Sequence, residues 1–196
     1  MPGTHDLGPA AHHLAGLLPG IGEDDLRSPT PCRDYSVATL LDHVHGLAAA
    51  FAAAAVKDLE TTAQPPDPRA ENLPWDWRSS IPHRLTELAE AWRDDEPWTG
   101  VTQAGGVPLP GELAGLVALN EITVHGWDLA AATGQRFDPD AASVAACLEF
   151  ASSFASEEPD PDSPFGAAVP VPPTAPPLDR LLGLTGRDPA WKPDVV

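Results

Sequence analysis

The chain is poor in positive charge, sulfur, tyrosine and long apolar runs. Its 196 residues include 11 basic and 29 acidic side chains, for a formal net charge of −18, and its lysines are Lys57 and Lys192 alone. Nucleic-acid affinity depends on Lys and Arg displacing counterions from phosphates, so this balance argues against a DNA or RNA partner. It argues equally against an anionic membrane surface. No contiguous apolar stretch looks long enough to cross a bilayer: the Ala-rich run from Leu47 to Val56 is short and leads into Lys57, Asp58 and Glu60. Residues 1–20 lack a basic segment ahead of an apolar core, so no secretory signal is expected. Cys32 and Cys147 form no CxxC pair, and two buried thiols in a cytoplasmic protein are expected in preference to a disulfide. No GxGxxG, P-loop or GxSxG motif occurs, which removes the ordinary nucleotide and esterase readings.

What is present is a core and a set of helical periods. Hydrophobic residues make up 42% of the chain, enough to bury. Leu7, Ala11, Leu14, Leu17 and Leu18 recur at helical spacing over 5–18, ended by Pro19, Gly20 and Gly22. The stretch Ser28-Pro29-Thr30-Pro31-Cys32 marks a loop over 23–35. Ser36 is a candidate N-cap for a second helix reaching Glu60, with Val37, Leu40, Leu41, Val44, Leu47, Phe51 and Ala55 as its stripe. A Pro-rich segment over 61–78, with an aromatic knot at Trp75 and Trp77, precedes a third helix over 80–94. Residues 95–110 read as a loop or short hairpin with one strand, Val101 to Gln103. A fourth helix spans 111–133 and stops at Gly134; a fifth spans 139–156. A short apolar segment, Leu178 to Leu184, follows in a Pro-rich tail. The expected fold is all-α, a bundle of four or five helices over residues 1–158, with a Pro-rich extension over 159–196 packed on it.

Chemistry is concentrated on two helices. His5, His12, His13 and His83 sit near the terminus or on polar faces and are set aside. In Asp42-His43-Val44-His45, about 100° per residue places His43 beside Leu47 at one edge of the apolar stripe and His45 beside Leu41 at the other. The two project about 160° apart, so they cannot share one ion, and spacing does not choose between them. On the fourth helix, Glu121 and His125 stand at i and i+4 on one face. Leu113, Leu116, Val117, Leu119, Ile122, Val124, Trp127 and Leu129 make that helix apolar nearly all round. A Glu and a His there are hard to leave in water. They would either ligate a divalent ion, as carboxylates and histidines do inside bundles, or hydrogen-bond to each other. Asp128, three residues on, is placed to accept the second ring N–H of His125, or to pair with an arginine elsewhere. Trp127 reads as core. Cys32 reads as a small buried hydrophobe, with a thiol close to the metal as the other possibility.

Three segments in order resemble the actinobacterial metal-binding branch of the DinB-like superfamily, which contains the N-terminal domain of mycothiol-dependent maleylpyruvate isomerase. They are Ser28-Pro29-Thr30-Pro31-Cys32 with Leu40-Leu41-Asp42-His43-Val44; Asn120-Glu121-Ile122-Thr123-Val124-His125-Gly126-Trp127-Asp128-Leu129-Ala130; and Pro176-Pro177-Leu178-Asp179-Arg180-Leu181-Leu182 with Gly186-Arg187-Asp188-Pro189. The resemblance implies a DinB-like four-helix bundle with an extra short helix. It implies a divalent metal, zinc with nickel as the alternative, on His43, Glu121 and His125, and so selects His43 over His45. The family's Pro-Gly-Trp after Thr-Pro-Cys is here Arg33-Asp34-Tyr35, which alters the entrance to the site. Two histidines and one carboxylate leave an open position on an ion, which points to catalysis. The function so implied is a metal-dependent thiol transferase or isomerase, working with a low-molecular-weight thiol such as mycothiol on a small electrophilic substrate. The attacking or activated group would be a metal-bound thiol or water, and the catalytic residues themselves are not specified. The alternatives are a metal-dependent hydrolase or biosynthetic Lewis-acid enzyme, and a non-enzymatic bundle that binds a metal or small ligand. A homodimer is left open.

Overall fold

A computed structural model describes residues 4–154 and 165–193. Helices α1 (Gly8–Leu17), α2 (Val37–Ala55), α3 (Trp77–Ala91) and α4 (Gly111–Ala132) form a four-helix bundle, in which α1 and α2 each pack against both α3 and α4. Helix α5 (Ala141–Ser152) lies on α4, and α6 (Pro177–Leu184) lies on α5. Strands β1 (Val101–Ala104) and β2 (Val107–Pro110) pair antiparallel ahead of α4. The fold is therefore the expected all-α bundle with a short extra helix. The expected domain boundary at 158/159 lies outside the described residues.

Helix ends account for most differences from the sequence expectations. Helix α1 begins at Gly8, where Pro9 suits the first turn and the Asp6 carboxylate accepts from the Gly8 N–H at 2.8 Å. Helix α2 stops at Ala55, short of Glu60, through a Schellman cap built without glycine. Lys57 adopts the left-handed conformation (φ 57°), and the Asp58 N–H donates to the Ala53 carbonyl at 3.0 Å. Helix α3 starts at Trp77 and ends at Ala91, earlier at both ends than expected. The presumed knot at Trp75 and Trp77 does not form: Trp77 is buried, whereas Trp75 is 94% exposed. Helix α5 covers Ala141–Ser152, beginning after an Asp140 N-cap and stopping before 156. Residues 155–156 of the expected helix lie outside the described residues. The single strand expected at 101–103 is one arm of a hairpin, turned by Gly105 and Gly106, both at positive φ.

Helix α2 also overturns the expectation that nothing is long enough to cross a bilayer. By length and composition its 19 residues qualify, because alanines dilute Asp42, His43 and His45. Half of the apolar window is buried, against α3 and α4, which is how a core helix of a bundle behaves.

Indole hydrogen bonds join the layers at one end. Trp92 donates Nε1–H to the Phe51 carbonyl at 2.9 Å, Trp98 donates to the Trp92 carbonyl at 2.8 Å, and the two rings meet edge to face at 5.1 Å. At the opposite end of α2, the Ser36 side chain accepts from the Thr39 N–H at 3.2 Å, and the Val37 N–H donates to the Ser28 carbonyl. This cap fixes where the helix that carries His43 begins. Ser36→Ala should lower unfolding stability by about 1 kcal/mol, read as a shift in urea midpoint at unchanged slope.

Candidate metal centre

Helix α4 is buried on nearly every face, so its polar residues must find partners inside the bundle. Glu121 and His125 rise from it one turn apart and meet His43 from α2. A single carboxylate oxygen, Glu121 Oε2, lies 3.2 Å from His43 Nε2 and 3.1 Å from His125 Nε2. The two imidazoles stand edge to face, with centroids 5.0 Å apart. Ligand atoms of all three residues lie within 4.8 Å of one another.

His125 is 6% exposed at its side chain, and its Nδ1 lies 2.9 Å from Asp128 Oδ2, on a carboxylate with no exposure at all. An Nδ1–H donated to Asp128 leaves Nε2 facing a carboxylate oxygen, where either a proton or a cation has to sit. The donor set of two imidazoles and one carboxylate suits zinc and its neighbours, and convergence on a shared point meets the geometric requirement. The residues fit a divalent ion. Asp128 serves both roles weighed from the sequence, because Arg187 Nη2 also donates to its Oδ2 at 3.0 Å.

The cluster faces a cavity of about 260 Å³ whose wall includes Cys32, Tyr35, Asn120 and Arg187. The Thr30 hydroxyl donates to the carbonyls of Cys32 and Tyr35, at 3.0 and 2.9 Å, and so holds the loop that presents them. The Tyr35 ring packs edge-on against His43 at 5.6 Å, and Asp34 beside it takes a positive φ of 68°. The altered Arg33-Asp34-Tyr35 loop thus contributes directly to the site. Cys32 is a free, half-buried thiol on the cavity wall, near His125 and Asp128, whereas Cys147 is buried 3.8 Å from the Thr123 hydroxyl. Burial pushes the Cys32 thiol up to about 11 despite the opposing charge of Arg187.

The remaining histidines stay out of the cluster. His45 is half-buried, where burial and the nearby Arg84 hold its pKa below the ordinary value. His5 packs on Trp98, His13 bonds the Pro9 carbonyl, and His83 pairs with Glu87. Trp127 is half-buried and packed against the core. Arg187 and Asn120 are not anticipated as site residues by the sequence, and Tyr35 enters only as part of the loop at the entrance. A signal existed for Arg187: an Asp in an apolar helix calls for a cation, and this chain has few.

A helical bundle that gathers two histidines and a glutamate beside one cavity has the donor set from which metal sites in bundles are built. The chain belongs to the mycothiol maleylpyruvate isomerase N-terminal domain family, whose model matches residues 7–130. The uncharacterized proteins MT0763 and Rv0738, from two strains of Mycobacterium tuberculosis, are each 29% identical to it over 179 residues, spanning 89% of this chain and 91% of theirs. Crystal structures of the mycothiol-dependent maleylpyruvate isomerase, and of a histidine-to-alanine mutant of it, share the fold. Each is 18% identical, with a TM-score of 0.55 covering 76% of this chain and 69% of that one.

Charge explains how the cluster responds to pH without an ion. Burial disfavours an imidazolium at His125, yet the hydrogen bonds to Asp128 and Glu121 and their negative charges outweigh it, lifting the pKa to about 9. Burial also opposes the Glu121 carboxylate, but the hydrogen bonds from His125 and His43 prevail and hold it well below the usual carboxylate range. A raised histidine stabilises the fold fully below its unfolded value of about 6.5 and ceases to do so as pH rises through about 9. A depressed carboxylate stabilises above its ordinary value and is lost in acid. Chelator-treated protein should therefore melt at progressively lower temperature between about pH 7 and about pH 9.5, and His125→Gln should flatten that slope. A wild-type melting temperature that rose across this interval would contradict the assigned hydrogen bonds.

Proposed function

We propose that this chain is a metal-dependent enzyme that uses a low-molecular-weight thiol, mycothiol by family membership, to transfer to or isomerise a small electrophilic substrate. The observation that carries this reading is the convergence of His43, Glu121 and His125 on one point at the edge of an open cavity. A divalent ion held there, zinc in the first instance, would supply Lewis acidity, lowering the pKa of a thiol or water or polarising a carbonyl.

The chain's own residues divide the remaining work. His43, Glu121 and His125 hold the ion, and Asp128 fixes the tautomer of His125 by accepting its Nδ1–H. The Cys32 thiol, with its pKa pushed up to about 11, stays protonated at neutral pH and is a poor nucleophile. The reactive sulfur is assigned to the co-substrate, in keeping with the name of the structurally similar isomerase. Val124 contributes an apolar side chain to the cavity wall beside the cluster. A second cavity of about 240 Å³ adjoins the first through Cys32 and Arg187, and has room for the part of a thiol that does not react.

Metal analysis of purified variants tests the assignment. Wild-type protein should carry close to one equivalent of divalent ion. His43→Ala, Glu121→Ala and His125→Ala should each lose most of it, whereas His45→Ala should keep it. Conjugation of mycothiol to a small electrophile should fall with the metal across the same series. Wild-type metal content in His43→Ala, or loss only in His45→Ala, would overturn the site. Full metal with no acceleration of any thiol reaction would favour a binding protein over an enzyme.

A further inference from the structure

Arg187 stands outside the stretch matched by the family model, yet its guanidinium reaches the carboxylate that orients a candidate ligand. It gets there through a helix cap. Helix α6 ends in a Schellman motif: the Gly186 N–H donates to the Gly183 carbonyl at 3.2 Å, the Arg187 N–H donates to the Leu182 carbonyl at 2.8 Å, and Gly186 takes a φ of 81°. Leu181 and Leu182, both fully buried, fasten α6 to the body of the protein. The cap sends the Arg187 side chain back across the site. Nη1–H donates to the Thr185 carbonyl at 2.7 Å, Nη2–H to Asp128 Oδ2 at 3.0 Å and Nε–H to Asp128 Oδ1 at 3.4 Å. The guanidinium is thus tethered to its own loop on one side and to both carboxylate oxygens on the other. Its side chain is only 15% exposed.

We infer that Arg187 is a positioning residue for the metal centre, acting through Asp128 on His125. This rests on the proposed ion at His43, Glu121 and His125. A fully buried carboxylate with a single imidazole partner is costly and free to rotate about its last torsion. The two-pronged guanidinium compensates its charge and fixes its plane. Fixing that plane fixes the His125 ring, because Asp128 Oδ2 receives both the imidazole and Arg187 Nη2. The C-terminal segment therefore sets the geometry of a site whose candidate ligands all come from the bundle.

The test is cobalt(II) binding to the full chain, followed by visible absorption, in wild type, Arg187→Gln, Arg187→Lys, Asp128→Asn and the double variant Asp128→Asn/Arg187→Gln. Arg187→Gln should weaken cobalt affinity by about 10–100-fold and shift the absorption bands, the size of effect typical of groups that orient ligands. Arg187→Lys should recover part of the affinity, since it restores charge but not the two-pronged contact. The double variant should bind no more weakly than Asp128→Asn alone, because the orienting contact of Arg187 runs through Asp128, and the charge it otherwise places on the shared cavity near Glu121 opposes a bound cation. If Arg187→Gln leaves Asp128 buried with too little compensation to fold, the comparison of Asp128→Asn with the double variant, in which that charge is gone, decides the matter. Wild-type affinity and spectrum in Arg187→Gln, or losses that multiply in the double variant, would overturn the inference while leaving the metal site standing. A wild-type chain that takes up no cobalt would overturn the metal reading and this inference together.

Discussion

The Glu121–His125–Asp128 run is the constraint around which the rest of the structure is arranged. Helix α4 is buried almost all round, and a carboxylate in such a place costs several kcal/mol unless it is paired. Two carboxylates and an imidazole within eight residues cannot satisfy one another, because the negative charges outnumber the positive ones that His125 can supply. The neighbouring elements make up the difference. Helix α2 brings His43 to Glu121, and the cap of α6 brings Arg187 to Asp128. An ion at the convergence of His43, Glu121 and His125 would complete the same compensation, which is why the cluster makes physical sense as a metal centre and less as an ordinary core.

The surrounding fold holds this arrangement without contributing chemistry. Ser36 fixes where α2 begins, the Thr30 hydroxyl holds the loop carrying Cys32 and Tyr35, and the Trp92–Trp98 pair closes the far end of the core. The cavity beside the cluster is small, and burial pushes the pKa of the Cys32 thiol on its wall up to about 11. Such a site is suited to receiving a reactive group from a ligand. That property joins the local chemistry to membership of a family named for a mycothiol-dependent isomerase.

Much of this was legible in the residues. Apolar spacing located each main helix, and an i, i+4 Glu–His pair in an apolar helix marked the centre of the site. The wheel could not separate His43 from His45, since both flank the stripe; only resemblance chose, and the geometry then placed His43 beside Glu121 and His45 elsewhere. Helix ends were less legible. The α2 terminus uses Lys57 in a left-handed conformation that glycine ordinarily takes, so no residue type announced it. Arg187 was only half legible: Asp128 in an apolar helix called for a cation, but nothing local named which one. It meets Asp128 across 59 residues of sequence, through a cap whose direction depends on how α6 packs, and no local period encodes that.

Two sets of side chains could compete for one divalent ion: the proposed pair of imidazoles with a carboxylate, and the neighbouring group of Cys32, His125 and Asp128. X-ray absorption at the zinc edge of the zinc-loaded protein, without added thiol, separates the two directly. The expected spectrum shows nitrogen and oxygen scattering at about 2.0–2.2 Å with the outer-shell pattern of two imidazoles, and no sulfur. A sulfur contribution at about 2.3 Å, or an imidazole pattern from a single histidine, would contradict the proposed site.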